Sequence, residues 1–249
     1  MSLRICILET DVLRPELVEP YQSYGRMFER LFASQPIEAQ FVIYNVMQGD
    51  YPAEDERFDA WLVTGSKADS FGSDPWIQVL KAYLLKLYER GEKLLGVCFG
   101  HQLLALLLGG QTERANGGWG VGIHHYRLQA AAPWMTPNLD DLTLLISHQD
   151  QVTRLPENAT VIASSDFCPF AAYHINDQVL CFQGHPEFIH DYSRALMHIR
   201  QESLGEALYR TALASLEHDH HGTTVAEWMM RFVAYKPELA VDSIASLSA

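Results

Sequence analysis

The stretch Gly96–Gly110, GVCFGHQLLALLLGG, decides the fold of this chain. A short apolar run, KLLGV, leads into Cys98, and a helix-like run closed by glycines follows at once. A G-x-C-x-G pattern between strand and helix is the cysteine form of a nucleophile elbow. Three physical consequences attach to it. The turn needs an unusual backbone conformation, and flanking glycines let neighbouring chain pass close by. It lifts the sulfur to the carboxyl edge of the sheet, where open α/β sheets place their sites. The helix start beneath the sulfur presents free N–H groups and a partial positive charge that favour thiolate. The competing reading is a glycine turn around a structural cysteine.

Outward from this corner the pattern repeats. LRICILE (3–9), AQFVIYNV (39–46) and FDAWLVTG (58–65) read as buried strands. PYQSYGRMFERLF (20–32) reads as one amphipathic helix. DPWIQVLKAYLLKLYERG is a second helix, capped by Asp74, with Pro75 in its first turn and Gly91 past its end. Alternating strands and helices imply parallel crossovers, hence an α/β fold with a mostly parallel open sheet flanked by helices. From 111 to 129 the chain becomes rich in glycine and histidine. The runs LTLLISHQD, ATVIASS, FAAYHIN and QVLCFQGHPE then predict a small antiparallel portion, the last two joined through Asn176–Asp177. From about residue 188 to 235 a helical extension is expected, broken near EHDHHGTT, and the tail VDSIASLSA is expected to fray. No repeat or linker divides the chain, so residues 1–249 are expected to form one domain.

Composition narrows the function classes. With 18 Lys and Arg against 31 Asp and Glu, the net charge is −13. Such a surface repels phosphate backbones and anionic lipid, so nucleic acid and membrane are not expected partners. No apolar run approaches the ~20 residues of a membrane span, and the amino terminus lacks a signal-peptide core, so a cytoplasmic location is expected. Cys6, Cys98, Cys168 and Cys181 are scattered without a C-x-x-C pair, which indicates neither a disulfide framework nor a zinc site. Cys98 alone lies outside strand-like apolar surroundings.

A nucleophilic thiol needs a base. QGHPE supplies His185 after a strand-like run, with Glu187 two residues on and Pro186 stiffening the turn. A carboxylate that orients an imidazole, which in turn takes and returns the thiol's proton, is triad logic.

Together, GVCFGHQLLA and QGHPE resemble the class I, triad-type glutamine amidotransferases, over most of the chain from the first strand to about His190. The fold this implies is the class I glutamine amidotransferase-like one, of flavodoxin-like architecture. The resemblance implies a Cys98–His185–Glu187 triad, a γ-glutamyl thioester on Cys98, and release of ammonia or amine. It also implies an oxyanion site made by the N–H of Phe99 with that of Gly65 or Ser66, in the loop TGSKADSF. That loop reads Gly65-Ser66-Lys67 where the family usually has Gly-Gly-Pro. By the same resemblance Gln102 contacts substrate, and Ser147, His148, Gln149 and Asp150 hold the glutamyl α-amino and carboxylate groups; Gln149 replaces the usual glycine. The loop GSKADSFGSDPWI is closer to stand-alone members, near the GMP synthase amidotransferase domain and the γ-glutamyl peptidases, than to domains fused to a synthase. A small-molecule substrate is expected, glutamine or another γ-glutamyl compound, with a separate ammonia-accepting synthase as the alternative partner. No motif calls for a cofactor.

Other residues are read as structural. His218, His220 and His221 lack standard ligand spacing and sit in a polar break, so no metal is expected. His124 and His125 face opposite ways along a strand. His101 belongs to the helix start, Trp119 to a lid-like hairpin at the substrate entry or to packing, and Met229 and Met230 to the core. Two rival functions remain, a non-catalytic binding protein of the same fold and a cysteine protease.

Overall fold

The structure is a computed structural model that describes residues 2–237; the tail VDSIASLSA lies outside the described residues. Strand β1 (Leu3–Glu9) pairs in parallel with β2 (Ala39–Asn45) on one side and β3 (Ala60–Val63) on the other. Strand β4 (Leu94–Val97) continues the parallel order beyond β3. Later in the chain come β5 (Gln111–Arg114), β6 (Gly120–Leu128), β7 (Asp141–His148), β8 (Asp150–Arg154), β9 (Ala159–Ser164), β10 (Ala172–Ile175) and β11 (Val179–Phe182). The main sheet has nine strands in the order β2-β1-β3-β4-β11-β10-β9-β6-β7. Strand β11 lies parallel to β4, so β2-β1-β3-β4-β11 is a doubly wound parallel sheet of the flavodoxin-like order. The antiparallel portion continues the same sheet from β11 to β7, and β5 and β8 form a separate two-stranded ribbon.

Alternation along β1 shows how the sheet is buried on both faces. Ile5 and Ile7 enter one core with the apolar sides of α2 (Tyr24–Ala33) and α8 (Gly222–Ala234). Cys6 and Leu8 enter the opposite core with α3 (Pro75–Glu89) and α4 (Phe99–Leu107). Met229 and Met230 are fully buried in the first of these. A third cluster joins α1 (Pro15–Tyr21), α5 (His190–Ile199), α6 (Gln201–Leu204) and α7 (Glu206–Ser215) to Leu145 and Phe188. Burial holds the Cys168 and Cys181 thiols up at about 12, and no disulfide forms among the four cysteines.

Two local expectations need correction. The helix expected over 20–32 is two helices: Gln22 takes a left-handed φ of 68°, and Ser23 restarts the chain by accepting the N–H of Arg26 at 3.2 Å. Asp74 does precede α3, but its side chain makes no capping bond; its carbonyl accepts the N–H of Ile77 and Gln78. The hairpin at Asn176–Asp177 forms as expected, with Ile175 opposite Val179.

Candidate active site

The site lies beyond the carboxyl ends of β3, β4 and β11, three adjacent strands. The elbow follows β4, where Cys98 has φ 51° and ψ −100°, a conformation that non-glycine residues rarely adopt. The Cys98 N–H is tied to the Phe182 carbonyl at 2.9 Å, and the Gly100 N–H to that of Thr64 at 3.2 Å. Both flanking glycines are required by close approach. A Cβ on Gly96 would lie 2.7 Å from the Gly100 carbonyl carbon, and one on Gly100 would overlap the Val63 carbonyl.

His185 follows β11 and faces Cys98. Its N–H is tied to the Leu145 carbonyl of β7 at 2.8 Å, and its ring stacks on Phe188 with centroids 3.9 Å apart. Nδ1 is 2.7 Å from Oε1 of buried Glu187, which leaves Nε2 as the ring nitrogen available to the sulfur. Burial works to lower the His185 pKa, but the Glu187 carboxylate and the Cys98 sulfur more than offset it, and the ring is pushed up to about 10. Imidazolium is therefore the resting form of this ring near neutral pH.

Gly65 sits between ring and elbow: a Cβ there would lie 2.8 Å from Cε1 of His185 and 3.5 Å from Cβ of Cys98. Thr10, just past the end of β1, donates its hydroxyl to the Gly65 carbonyl at 3.0 Å, which holds that carbonyl toward β1. The N–H groups of Gly65, Ser66 and Phe99 meet no acceptor among the described residues. These are the groups expected to receive an oxyanion.

Beside the sulfur opens a cleft of about 170 Å³ that includes Gln102, Ser147, His148, Gln149 and Asp150 in its walls. Gln102 donates its amide N–H groups to the Asp150 carbonyl at 2.8 Å and to Gln183 Oε1 at 3.1 Å, so it anchors the 147–150 segment to α4. His148 is buried, and burial pushes its pKa down to about 3. The neutral ring donates Nδ1–H to the Asp150 carbonyl at 3.1 Å. Arg114 lies opposite Asp150 across the β5–β8 ribbon; its Nε is 2.8 Å from Asp150 Oδ1 and its Nη2 3.2 Å from Asp69 Oδ1. It also contacts the Gln149 side-chain oxygen. Burial, then the Asp69 carboxyl, raises the Asp150 pKa to about 6 against the pull of Arg114.

Sequence reasoning missed several of these groups. Thr10, Asp11, Asp69, Arg114 and Arg200 carry no local motif, and the fold brings them to the site from four separate segments, Thr10 and Asp11 together. Lys67, in the loop after β3, pairs with Asp11 through Nζ at 2.9 Å and through its N–H at 2.8 Å. Trp119 does line the cleft, with the Arg200 guanidinium 5.1 Å above its ring. His124 and His125 do not line it. His101 is fully buried against Tyr173, and burial lowers its pKa to about 3. In the 217–222 turn, His221 accepts the Thr143 N–H at 3.0 Å and His220 the Gly222 N–H at 3.1 Å. Among the described residues no group of three metal-binding side chains is assembled.

Comparison with known proteins identifies the family and the fold. The family model described as glutamine amidotransferase class-I matches residues 17–200. Gamma-glutamyl peptidase 3 of Arabidopsis thaliana is 32% identical over 176 residues, covering 68% of this chain and 70% of its own length. The glutamine-hydrolysing GMP synthase of Streptococcus equi subsp. equi is 33% identical over 125 residues, 49% of this chain but 22% of that protein. A solved glutamine amidotransferase from Thermotoga maritima superposes with a TM-score of 0.76 at 16% identity, covering 94% of this chain and 100% of that one. At that identity the likeness is one of fold. No helix among the described residues is long and apolar enough to cross a membrane.

Proposed function

The chain belongs to the class I glutamine amidotransferase family, and from that premise we propose that it hydrolyses the amide bond of a γ-glutamyl compound through a thioester on Cys98. The observation that carries the reading is the His185 ring, locked between Glu187 and Phe188 and facing a sulfur on a strained turn. With the proton on His185, Sγ adds as thiolate to the γ-carbonyl carbon. The carbonyl oxygen becomes an oxyanion held by the N–H of Phe99 and that of Gly65 or Ser66. As the C–N bond breaks, His185 gives its proton to the departing nitrogen, and amine or ammonia leaves. Neutral His185 then takes a proton from water, whose oxygen attacks the thioester carbon. The C–S bond breaks, Cys98 departs as thiolate, glutamate is released, and imidazolium is restored. Glu187 stabilises that imidazolium and fixes the ring. The γ-glutamyl head would lie against the 147–150 segment, where the Asp69–Arg114–Asp150 cluster, with two carboxylates to one guanidinium, would receive its ammonium.

Glutamate release from a panel of glutamine, glutathione and γ-glutamyl dipeptides tests this. Cys98→Ala is expected to abolish release and His185→Ala to be nearly as severe, with Glu187→Ala milder, since base and nucleophile act as a unit. Unchanged release by Cys98→Ala would overturn the reading. The likeness to GMP synthase favours a second version, in which glutamine is the substrate and ammonia passes to a separate synthase. Glutaminase activity that appears only on adding a partner extract would select it.

A further inference from the structure

Three cations line the cleft: Lys67, Arg114 and Arg200. Two are already neutralised, Lys67 by Asp11 and Arg114 by Asp150 and Asp69. Arg200 has no carboxylate partner among the described residues, although it is half-buried. It is held all the same. It caps the end of α5, where its own N–H bonds the Leu196 carbonyl at 3.1 Å. Its Nη1 donates to Ser147 Oγ at 2.6 Å, and its guanidinium covers the Trp119 ring. A chain of net charge −13 has carboxylates to spare, yet among the described residues none pairs with this guanidinium. Part of the hydration of this guanidinium has been replaced by an aromatic face and one hydroxyl, so a carboxylate arriving there would gain a charge-assisted bond.

Position says which part of a substrate would bring that carboxylate. His185 must protonate the departing nitrogen, so the leaving group lies on the His185 side of the sulfur. A small cavity on that side, of about 20 Å³, has His185, Cys98, Phe188 and Ser147 in its walls with two cations, Arg200 and the Asp11-paired Lys67. The main cleft, which runs to Asp150 and Gln102, shares Cys98, Ser147 and Arg200 with that cavity but does not include His185 in its walls, so Arg200 stands where the two meet. The Asp150 end already holds the Asp69–Arg114–Asp150 cluster for the amino-acid head of the γ-glutamyl group. In a γ-glutamyl amino acid, the leaving residue's carboxylate is two bonds from the scissile nitrogen, close to where His185 acts.

Resting on the γ-glutamyl hydrolase reading above, we propose that Arg200 binds the carboxylate of the leaving group, so that the preferred substrates are γ-glutamyl amino acids and peptides whose released amine carries a nearby carboxylate. Glutamine, which releases ammonia, cannot use this contact. Arg200 is thus a specificity-determining residue, whereas the sulfur and ring are common to all γ-glutamyl amides.

An isosteric pair isolates the charge: γ-glutamylglycine, which ends in a carboxylate, and γ-glutamylglycinamide, which ends in a neutral amide. Purified wild-type protein is expected to favour the acid by about tenfold or more in kcat/KM, which corresponds to about 1.4 kcal/mol. Arg200→Ala should collapse that ratio towards one, and Arg200→Lys should restore part of it. A wild-type ratio near one would overturn the role of Arg200 while leaving γ-glutamyl cleavage standing, and so would an unaltered ratio in Arg200→Ala. Equal losses on both compounds in Arg200→Ala, with the ratio kept, would assign Arg200 to the γ-glutamyl half and likewise overturn the proposal. Should wild-type protein release glutamate from neither compound nor from glutamine, the hydrolase reading itself fails. The wild-type ratio needs no variant, so the proposal is testable even if Arg200→Ala does not fold.

Discussion

Adding one methyl group at Gly65 should misplace the base without touching any reacting atom. The Cβ of an alanine there would lie 2.8 Å from Cε1 of His185, whereas ordinary contact begins near 3.4 Å. The ring must therefore give by about 0.6 Å, or the loop after β3 must move by as much. Neither yields easily. The ring is held at Nδ1 by Glu187 at 2.7 Å, from one face by Phe188 and through its backbone by Leu145. The loop is held by the Thr10 hydroxyl on the Gly65 carbonyl. A displacement approaching 1 Å in a catalytic group can lower the rate on the order of 10²-fold. The overpacking itself should destabilise the fold by roughly 1–3 kcal/mol. Alanine keeps its N–H, so any oxyanion bond from residue 65 is retained, and the loss falls on proton transfer. The assay is kcat and KM on one γ-glutamyl substrate beside a urea melt. We expect kcat to fall about a hundredfold, KM to stay within a few fold, and the protein to remain folded at assay temperature. A Gly65→Ala protein with kcat within twofold of wild type would refute the reasoning, because the ring would then have freedom that its packing denies.

Three further outcomes follow from the same geometry. His185 keeps its proton to about pH 10, so kcat/KM should hold well above pH 8 and fall as pH approaches 10; Glu187→Gln removes the supporting carboxylate, leaves burial to dominate, and should move that limb to lower pH. The same raised pKa stabilises the fold fully below the ordinary histidine value of 6.5 and loses that contribution as pH climbs through about 10, so a thermal scan should show wild type losing more stability than His185→Gln across this window. Gly100→Ala should cost about 2–3 kcal/mol in a urea melt, because its Cβ overlaps the Val63 carbonyl and would push α4 from the end of β3; an unshifted midpoint would contradict that contact.

What the sequence made legible was local. The elbow is written in five consecutive residues, and the strand-turn-base in QGHPE in five more. Glycines at 96 and 100 announce a close approach, in part to each other and in part to Cys181 and Val63, which lie elsewhere in sequence. Local pattern also misled. Apolar residues at Tyr21, Tyr24, Met27 and Phe28 fit one helical face, so the break at Gln22–Ser23 is invisible to periodicity. Ser23 standing three residues before Arg26 was its signal, the spacing of a capping hydroxyl. The strand order from β11 to β7 was not legible either. Strand β6 leaves its neighbour in sequence, β5, in a separate ribbon and pairs with β7 and β9. Such pairings are set by register over long sequence separations, which no short window contains.

The charges around the cleft were the least legible part, for a reason that bears on the Arg200 proposal. A motif reports residues that one short segment must supply together. The cations and carboxylates here come from the end of β1, the loop after β3, the β5–β8 ribbon and the end of α5, and none needs a particular neighbour in sequence. Their meaning lies in pairing. Arg114 between two carboxylates is largely neutralised as a local charge, and Lys67 with Asp11 is the same. Arg200 would read as an unremarkable surface charge in any window around residue 200. Only when the ion pairs are assigned across the whole cleft does one positive charge stand over among the described residues, beside the base that serves the leaving group. The sulfur and the ring determine that a γ-glutamyl amide can be cut, while the unmatched guanidinium bears on which one.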